Sequence, residues 1–129
     1  MPGRFFVRRL VLWLGACALA SVLYAGAGFV ITFEDDLVLY FAGDTSLFGD
    51  MRLIADLYRP LIACLPIGDL YTMGPEHAAK AVEWLRVRQV IPMHYGTFPK
   101  LTGTLEQFRA AVAPLDVEVL ALEPGKTTE

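Results

Sequence analysis

The sequence is poor in the residues that most often bind metals or form covalent bonds. Its 129 residues include two histidines, His77 and His94, and two cysteines, Cys17 and Cys64. Two histidines exclude any site that takes three imidazoles from this chain alone, and the absence of a CxxC pair excludes a thiolate zinc site. One cysteine lies in an apolar run and the other in a predicted core strand, so no disulfide framework is expected.

Clustered positive charge is also absent. The chain carries 11 Lys and Arg against 14 Asp and Glu, a formal net charge of -3, and no basic run longer than Arg8-Arg9. A nucleic-acid partner is therefore not expected. The sequence also lacks the GxGxxG and GxxxxGK[ST] segments of nucleotide-binding loops and the GxSxG segment of serine hydrolases.

Hydrophobic residues make up 55% of the chain and are concentrated near the amino terminus. Residues 10–31 carry no charge over 22 positions and follow three arginines. As a helix this run would reach about 33 Å, enough for a bilayer core, and the arginines favour a cytoplasmic amino terminus. Because residues 28–34 also predict a strand, residues 10–27 alone remain for a membrane segment, which is marginal at about 27 Å. A membrane anchor, a signal peptide and a buried apolar helix all stay open.

From residue 28 onward, short apolar runs alternate with helical spacing. Residues 28–34 and 37–41 predict a β-hairpin with Asp35-Asp36 as its turn. Further apolar runs predict buried strands at 61–65, 89–93 and 117–122, and helical spacing predicts helices at 51–58, 76–86 and 105–112. The order β-β-α-β-α-β-α-β predicts an α/β domain over residues 27–125, preceded by an apolar segment, residues 1–26.

Two potential metal ligands follow predicted strands. Asp44 comes after the strand at 37–41, and His94 comes after the strand at 89–93. The carboxyl edge of a parallel sheet is where α/β proteins place their chemistry, and carboxylate and imidazole both bind divalent metals. Local sequence also favours Asp44 as the N-cap of the next helix, because Asp, Thr and Ser are all good caps. A histidine at a strand end is also compatible with a hydrogen-bonded structural role.

Two other titratable residues are weaker candidates. Asp69 lies in the loop after the strand at 61–65, where a turn residue is the first expectation and a partner that orients a metal ligand is the second. His77 lies in the first turns of a helix and is expected to face solvent, so it has no assigned role. No residue is predicted to be catalytic in its own right.

Five short segments occur in one order along the chain. They are Ala-Gly-Asp-Thr at 42–45, Phe-Gly-Asp-Met at 48–51, Leu-Pro-Ile-Gly at 65–68, Thr-Met-Gly-Pro at 72–75 and Pro-Met-His-Tyr-Gly-Thr-Phe-Pro at 92–99. Together they resemble the carboxyl-terminal half of the metallo-β-lactamase-fold hydrolases, specifically the UPF0173 metal-dependent hydrolases. The resemblance covers residues 27–125. It implies half of an αββα sandwich with a metal site at one edge, usually zinc, which activates water to hydrolyse a small-molecule substrate. In that family pattern Asp44 matches the bridging aspartate, and His94 matches the last histidine ligand.

The chain also departs from this family. The family's His-x-His-x-Asp-His signature is absent from this chain, and residues 1–26 do not resemble the family's sequence. A catalytic zinc normally takes three protein ligands and a water, whereas this chain offers two. We therefore expect a truncated metal-dependent hydrolase, inactive alone, that needs a missing half or an oligomer and is cytoplasmic as the family resemblance implies. The alternative is a non-enzymatic binding module anchored in the inner membrane through residues 10–27.

Overall fold

A single mixed sheet organises residues 28–127, the part of the chain that our computed structural model describes. Its strands are β1 (Phe29–Thr32), β2 (Val38–Phe41), β3 (Ile62–Pro66), β4 (Gln89–Met93) and β5 (Glu118–Val119). The spatial order is β1-β2-β3-β4-β5, with β1 antiparallel to β2 and all later neighbours parallel. The parallel connections contain the helices α1 (Met51–Tyr58), α2 (Pro75–Leu85) and α3 (Leu105–Val112).

The predicted order of strands and helices is confirmed over residues 28–127. The hairpin turn is at the predicted acidic pair, where Asp36 adopts a positive φ of 65° and the Asp35 carboxylate accepts a hydrogen bond from the Leu37 amide at 3.2 Å. Aspartate tolerates turn conformations because its short side chain bonds to nearby backbone. The predicted apolar segment, residues 1–26, and the predicted membrane segment, residues 10–27, lie outside the described residues.

The last predicted strand is shorter than the apolar run at 117–122 suggested. The strand β5 pairs with β4 at Glu118 and Val119, and one further bond joins the Leu120 amide to the Val90 carbonyl at 2.9 Å. That bond shows that Val90 directs its backbone groups towards β5, so alternation directs those of Pro92 the same way. Because proline has no N–H to donate, the pairing stops there.

The three helices cover one face of the sheet. Strand residues on this face, including Tyr40, Leu65 and Val90, are buried against residues of all three helices. Three of the five buried residues of α2 are alanines, Ala78, Ala79 and Ala81. The buried apolar residues that form this core are Tyr40, Ala42, Met51, Ala63, Leu65, Ile67, Met73, Ala78, Ala79, Ala81, Val82, Leu85, Val87, Val90, Phe108 and Val112.

The opposite side of the sheet is apolar as well, and we call it the open face. Its apolar strand residues are Phe29, Ile31, Leu39, Phe41, Ile62, Cys64, Pro66, Ile91 and Met93, and the polar residues Gln89 and Glu118 share the face at its β4–β5 edge. None of these belongs to the helix-covered core, and most are partly exposed. Within residues 28–127 no element packs over them, which is the arrangement predicted for one half of a sandwich.

The helix ends follow ordinary capping chemistry. The helices α1 and α2 end at Arg59 and Arg86, which adopt left-handed φ values of 49° and 56°. The helix α3 begins with a capping box, in which Thr104 accepts from the Gln107 amide and Gln107 accepts from the Thr104 amide. Among residues 28–127, no helix is both long enough and apolar enough to cross a bilayer.

Candidate metal centre

The ends of three neighbouring parallel strands meet at the carboxyl edge of the sheet. The strands β2, β3 and β4 lie side by side, so the residues that follow them, Asp44, Asp69 and His94, belong to one edge. Backbone hydrogen bonds hold the loops together beyond the strands, since the Ile67 amide donates to the Met93 carbonyl at 3.0 Å and the Met73 amide donates to the Thr45 carbonyl at 3.1 Å.

The structure brings Asp44 and His94 together. The Oδ2 atom of Asp44 lies 3.9 Å from Nε2 of His94. The Asp44 side chain is 67% exposed and that of His94 is 27% exposed, so both side chains reach the surface of the edge. A separation of 3.9 Å is too long for a hydrogen bond. The two side chains therefore face each other without a direct bond between them.

The predicted N-cap role of Asp44 is wrong. The helix α1 starts at Met51, and the residue at its N-cap position is Asp50. Gly43 adopts a φ of 68°, and the Thr45 amide folds back to the Gly43 carbonyl at 3.1 Å, so the chain turns directly after the strand instead of entering a helix. The Asp44 carboxylate therefore does not cap α1.

His94 carries two features that cost stability. Its φ is 54°, a left-handed conformation that is uncommon outside glycine. Its Nδ1 atom is buried and has no hydrogen-bond partner within the described part of the chain. A buried polar atom without a partner costs about 1–3 kcal/mol, and strained backbone is often found at functional sites. The histidine is thus held in a conformation that its local interactions alone do not favour.

Two glycines hold the backbone around His94, and the sequence reasoning missed both. A Cβ atom on Gly68 would lie 2.0 Å from the His94 carbonyl oxygen, and one on Gly103 would lie 1.8 Å from the Ile67 carbonyl oxygen. Side chains are excluded at both positions, so the loops after β3 and β4 pack backbone against backbone. The Leu-Pro-Ile-Gly segment contains Gly68, and a glycine in a loop can indicate a close backbone approach. The sequence does not show, however, which backbone segment the glycine approaches.

Asp69 acts as a turn residue, as its first alternative predicted. It has a φ of 67°, and its Oδ1 atom accepts a hydrogen bond from the Leu70 amide at 2.9 Å. The hydroxyl of Thr102 donates to its Oδ2 atom at 3.5 Å, which links the loop after β3 to the segment before α3. The Asp69 carboxylate therefore bonds to the Leu70 amide and the Thr102 hydroxyl, and not to His94.

His77 is exposed, as predicted, and lies beside an open groove of about 830 Å³. The groove runs between the first turns of α2 and the length of α3, from Gln107 to Ala111, and its walls include Asp69 and Thr102. Neither Asp44 nor His94 lines it. The groove therefore does not coincide with the pair of potential metal ligands.

The Asp44 and His94 pair fits a divalent metal in donor chemistry and spacing. Zinc takes imidazole nitrogen and carboxylate oxygen at roughly 2.0–2.2 Å, which puts two ligands of a tetrahedral site about 3.4 Å apart. The observed 3.9 Å exceeds this by an amount that small side-chain rotations remove. Residues 28–127 contain no group of three or more His, Cys, Asp or Glu residues close enough to hold a metal. The described residues thus offer two potential ligands at this edge.

Burial perturbs two titratable groups in the sheet, Tyr40 on β2 and Cys64 on β3. Desolvation raises the pKa of the Tyr40 hydroxyl to about 12 and that of the Cys64 thiol to about 11. Both charged forms are disfavoured because the surrounding sheet is apolar. At neutral pH these side chains are uncharged parts of the sheet, and they supply no nucleophile.

Comparison with known proteins agrees with this architecture. Residues 20–94 match the beta-lactamase superfamily domain. A UPF0173 metal-dependent hydrolase from Solibacter usitatus is 54% identical over 111 residues, covering 84% of this chain and 48% of the relative. One from Rubrobacter xylanophilus is 51% identical over 110 residues, covering 82% of this chain and 46% of the relative.

Solved structures show the same fold. Igni18, a metallo hydrolase from Ignicoccus hospitalis, is 43% identical, with a TM-score of 0.72 over 78% of this chain and 44% of that protein. The chain thus spans about half the length of the relatives it matches. The half-sandwich fold and the order of elements agree with these matches. The chain belongs to the metallo-β-lactamase superfamily and, within it, to the UPF0173 metal-dependent hydrolases.

Proposed function

We propose that this chain contributes Asp44 and His94 as two ligands to the metal centre of a hydrolase that acts on a small-molecule substrate. The observation that carries the proposal is their placement. A carboxylate and an imidazole face each other across 3.9 Å, and the imidazole belongs to a residue with strained backbone and an unpartnered buried nitrogen. The relatives are named metal-dependent hydrolases, which supports a divalent metal as the missing component.

Zinc is the ion we favour. The two donors are one nitrogen and one oxygen, a combination that zinc accepts and that purely oxygen-binding ions such as calcium do not prefer. When bound, such an ion supplies a water whose pKa falls towards ~7, so that hydroxide is available at neutral pH. The exposed carboxylate of Asp44 and the partly exposed imidazole of His94 would hold the ion at the solvent edge, where substrate can reach it.

The protein's own contribution is to position these ligands. The backbone of His94 is fixed by its close approach to Gly68. The chain turns at Gly43, so Asp44 lies before α1 and is not part of its first turn. Catalytic groups act efficiently when the surrounding structure holds them in place. A change that shifts the loop after β3 should therefore disturb metal binding without touching a ligand.

We further propose that one copy of this chain, as given, has little or no hydrolytic activity. Two ligands leave half of a tetrahedral zinc site to water, whereas catalytic zinc sites normally have three protein ligands. Residues 28–127 offer no third ligand at this edge. The remaining ligands would then come from outside these residues, as in a longer relative or a second polypeptide.

Complementation tests this proposal. The region of the Solibacter usitatus relative that this chain does not match would be fused in place of residues 1–26, and the product would be assayed for bound zinc and for hydrolysis of activated esters. We expect the fusion to retain zinc after dialysis and to show weak esterase activity, while the unfused chain, with two ligands, retains no stoichiometric zinc after dialysis and shows no activity. In the fusion, both His94→Ala and Asp44→Ala should lose bound zinc and activity.

His77→Ala is the matched control, because it removes the only other histidine from an exposed position. It should leave zinc content and activity unchanged. A folded fusion that keeps its zinc after both Asp44 and His94 are replaced would show that these residues are not ligands.

A further inference from the structure

The loop after β3, residues 67–74, lies against the backbone of His94. Its Ile67 amide donates to the Met93 carbonyl at 3.0 Å, one residue before the histidine. Its Gly68 backbone lies so close to the histidine that a Cβ atom on the glycine would be 2.0 Å from the His94 carbonyl oxygen. We call this segment the bridge loop, because its other end contacts the turn after β2.

The other end of the bridge loop contacts the turn that carries Asp44. The Met73 amide donates to the Thr45 carbonyl at 3.1 Å, one residue after the aspartate. Ile67 and Met73, one near each end of the loop, are fully buried. The core thus anchors the loop at both ends, and the loop connects the backbone beside one potential ligand to the backbone beside the other.

The two potential ligands approach each other across the end of β3. The strands β2 and β4 are separated by β3, so they lie roughly 9–10 Å apart. The Asp44 Oδ2 atom and the His94 Nε2 atom are nevertheless only 3.9 Å apart. The turns after β2 and β4 therefore bring these side chains together beyond the end of β3, where the bridge loop begins.

Asp69 closes the bridge loop with its amide, its carbonyl and its carboxylate. Its amide donates to the Met73 carbonyl at 3.0 Å, and its carbonyl accepts from the Tyr71 amide at 2.8 Å. Asp69 and Leu70 both adopt left-handed φ values, 67° and 63°, a conformation that is unfavourable for a bulky residue such as leucine. The Leu70 amide donates to the Asp69 Oδ1 atom at 2.9 Å, so the aspartate side chain stabilises a turn that its neighbour does not favour.

We propose that Asp69 is a positioning residue for the Asp44 and His94 pair, because it closes the turn that keeps the bridge loop in one conformation. This inference rests on the ligands assigned under the proposed function. Two donors bind one ion well only when both are held at the separation that the ion requires. If the turn opens, the loop no longer fixes the backbone beside Asp44 relative to the backbone beside His94, and the affinity for metal falls. Residues that hold ligands without touching the metal typically change its affinity by about 10–100-fold.

Zinc titration of the full chain, followed through the ring nitrogens of His94 in long-range ¹H–¹⁵N NMR spectra, tests the proposal. Asp69→Ala should raise the zinc concentration at half response by about tenfold. Asp69→Asn should stay within about twofold of the parent chain, because asparagine keeps an oxygen acceptor for the Leu70 amide and tolerates the left-handed conformation. This conservative variant removes the charge and keeps the turn, so it separates the two possible effects of the carboxylate.

Asp35→Ala is the matched control. The Asp35 carboxylate also accepts a hydrogen bond from a turn amide, that of Leu37 at 3.2 Å, but its turn joins β1 to β2 at the opposite edge of the sheet. This variant should leave the zinc response unchanged, and urea denaturation in EDTA gives the free energy of unfolding of each variant for comparison. Hydrogen exchange in EDTA adds a readout without metal, since the Met73 amide should exchange faster in Asp69→Ala than in Asp69→Asn. Asp69→Gly, which permits the left-handed turn but lacks the carboxylate, replaces Asp69→Ala if that variant does not fold.

The outcomes separate this inference from the proposed function. A zinc response of Asp69→Ala that matches the parent chain would overturn the positioning role and leave Asp44 and His94 as ligands. Equal losses in Asp69→Ala and Asp69→Asn would show that the charge acts and the turn does not, which also overturns the role. A loss in Asp35→Ala as large as that in Asp69→Ala would reduce the effect to general stability. A parent chain whose His94 signals do not respond to zinc would contradict the proposed function itself, and the positioning role would fail with it.

Discussion

Asp44 illustrates at the scale of one residue why local sequence favoured the wrong role. Asp-Thr-Ser in series suits a helix N-cap, and only the backbone turn at Gly43 shows that the helix begins seven residues later. That turn depends on the loop after β3, where the Met73 amide bonds to the Thr45 carbonyl. Such a contact is distant in sequence, so residue preferences could not predict it.

Because Asp44 is not an N-cap, its replacement should have a small effect on the free energy of unfolding in the absence of metal. Because its carboxylate is exposed and caps no helix, Asp44→Ala should change the free energy of unfolding by less than about 0.5 kcal/mol. Thr104→Ala is the control, since it removes a true capping box and should cost about 1 kcal/mol. Urea denaturation in EDTA measures both. A loss of 1 kcal/mol or more for Asp44→Ala would restore the capping role.

The glycines behind His94 predict a large effect from a single methyl group. Gly68→Ala places a Cβ atom against the His94 carbonyl, and the backbone has to move to accept it. We expect a loss of about 2–3 kcal/mol in the free energy of unfolding, in the range of overpacked interiors. Gly49→Ala, where nothing lies within 4 Å of the added carbon, should change stability by under about 1 kcal/mol. Equal losses for the two variants in urea denaturation would contradict the close packing.

The raised pKa values of Cys64 and Tyr40 predict how stability depends on alkaline pH. In the folded chain the pKa of Cys64 is about 11 against an ordinary 9.0, and that of Tyr40 is about 12 against 10.0. The folded state therefore retains these protons at pH values where the unfolded state loses them. This stabilisation is complete below the ordinary pKa values and is lost as pH rises through the raised ones.

The free energy of unfolding should accordingly fall between about pH 9 and pH 12. Cys64→Ala should remove the part of the decline that begins near pH 9, leaving the later decline due to Tyr40. Urea denaturation at a series of pH values checks this. Coincident pH profiles for the parent and Cys64→Ala chains would mean that the thiol does not titrate with folding.

At the scale of elements, the spacing of hydrophobic residues predicted the order and most of the bounds of the strands and helices over residues 28–127. Continuous apolar runs gave β3 and β4 to within about one residue, and helical spacing gave α1 and α3 at their observed bounds. The exception was β5, where an apolar run continues after pairing stops. The cause lies in the neighbouring strand, whose Pro92 offers no N–H, so inspection of residues 117–122 alone could not reveal it.

The end of α1 carries a prediction at this scale. Arg59 occupies a left-handed C-cap position, with its amide bonded to the Ala55 carbonyl. Glycine adopts that conformation without steric cost, so Arg59→Gly should raise the free energy of unfolding by about 0.5 kcal/mol, after allowance for the greater entropy of glycine in the unfolded chain. Arg52→Gly, inside the same helix, should lower it by about 1 kcal/mol. Thermal or urea denaturation of both variants checks the sign, and a loss at Arg59 would contradict the cap geometry.

At the scale of the whole molecule, the chain has one sheet, one helical layer and one uncovered apolar face. It spans about half the length of the relatives it matches, and its described residues place two potential metal ligands at the carboxyl edge, where a catalytic zinc normally takes three protein ligands. The sequence predicted that Asp44 and His94 lie at one edge, because both residues follow parallel strands and parallel strands end at one edge; their role as metal ligands stays a prediction. The left-handed backbone of His94, its unpartnered Nδ1 and the open face depend on tertiary packing, which no single segment encodes.

The most direct test of the account is to observe the histidine rings during metal binding. The chain has only two histidines, so a long-range ¹H–¹⁵N NMR spectrum contains four ring nitrogens, and His77→Ala assigns them. On titration of the full chain with zinc, and with cobalt as a paramagnetic probe, the account predicts that the His94 signals shift or broaden while those of His77 do not. In Asp44→Ala the same titration should require a much higher metal concentration. A response confined to His77, or a His94 response that is unchanged in Asp44→Ala, would contradict the assignment of Asp44 and His94 as a metal-binding pair.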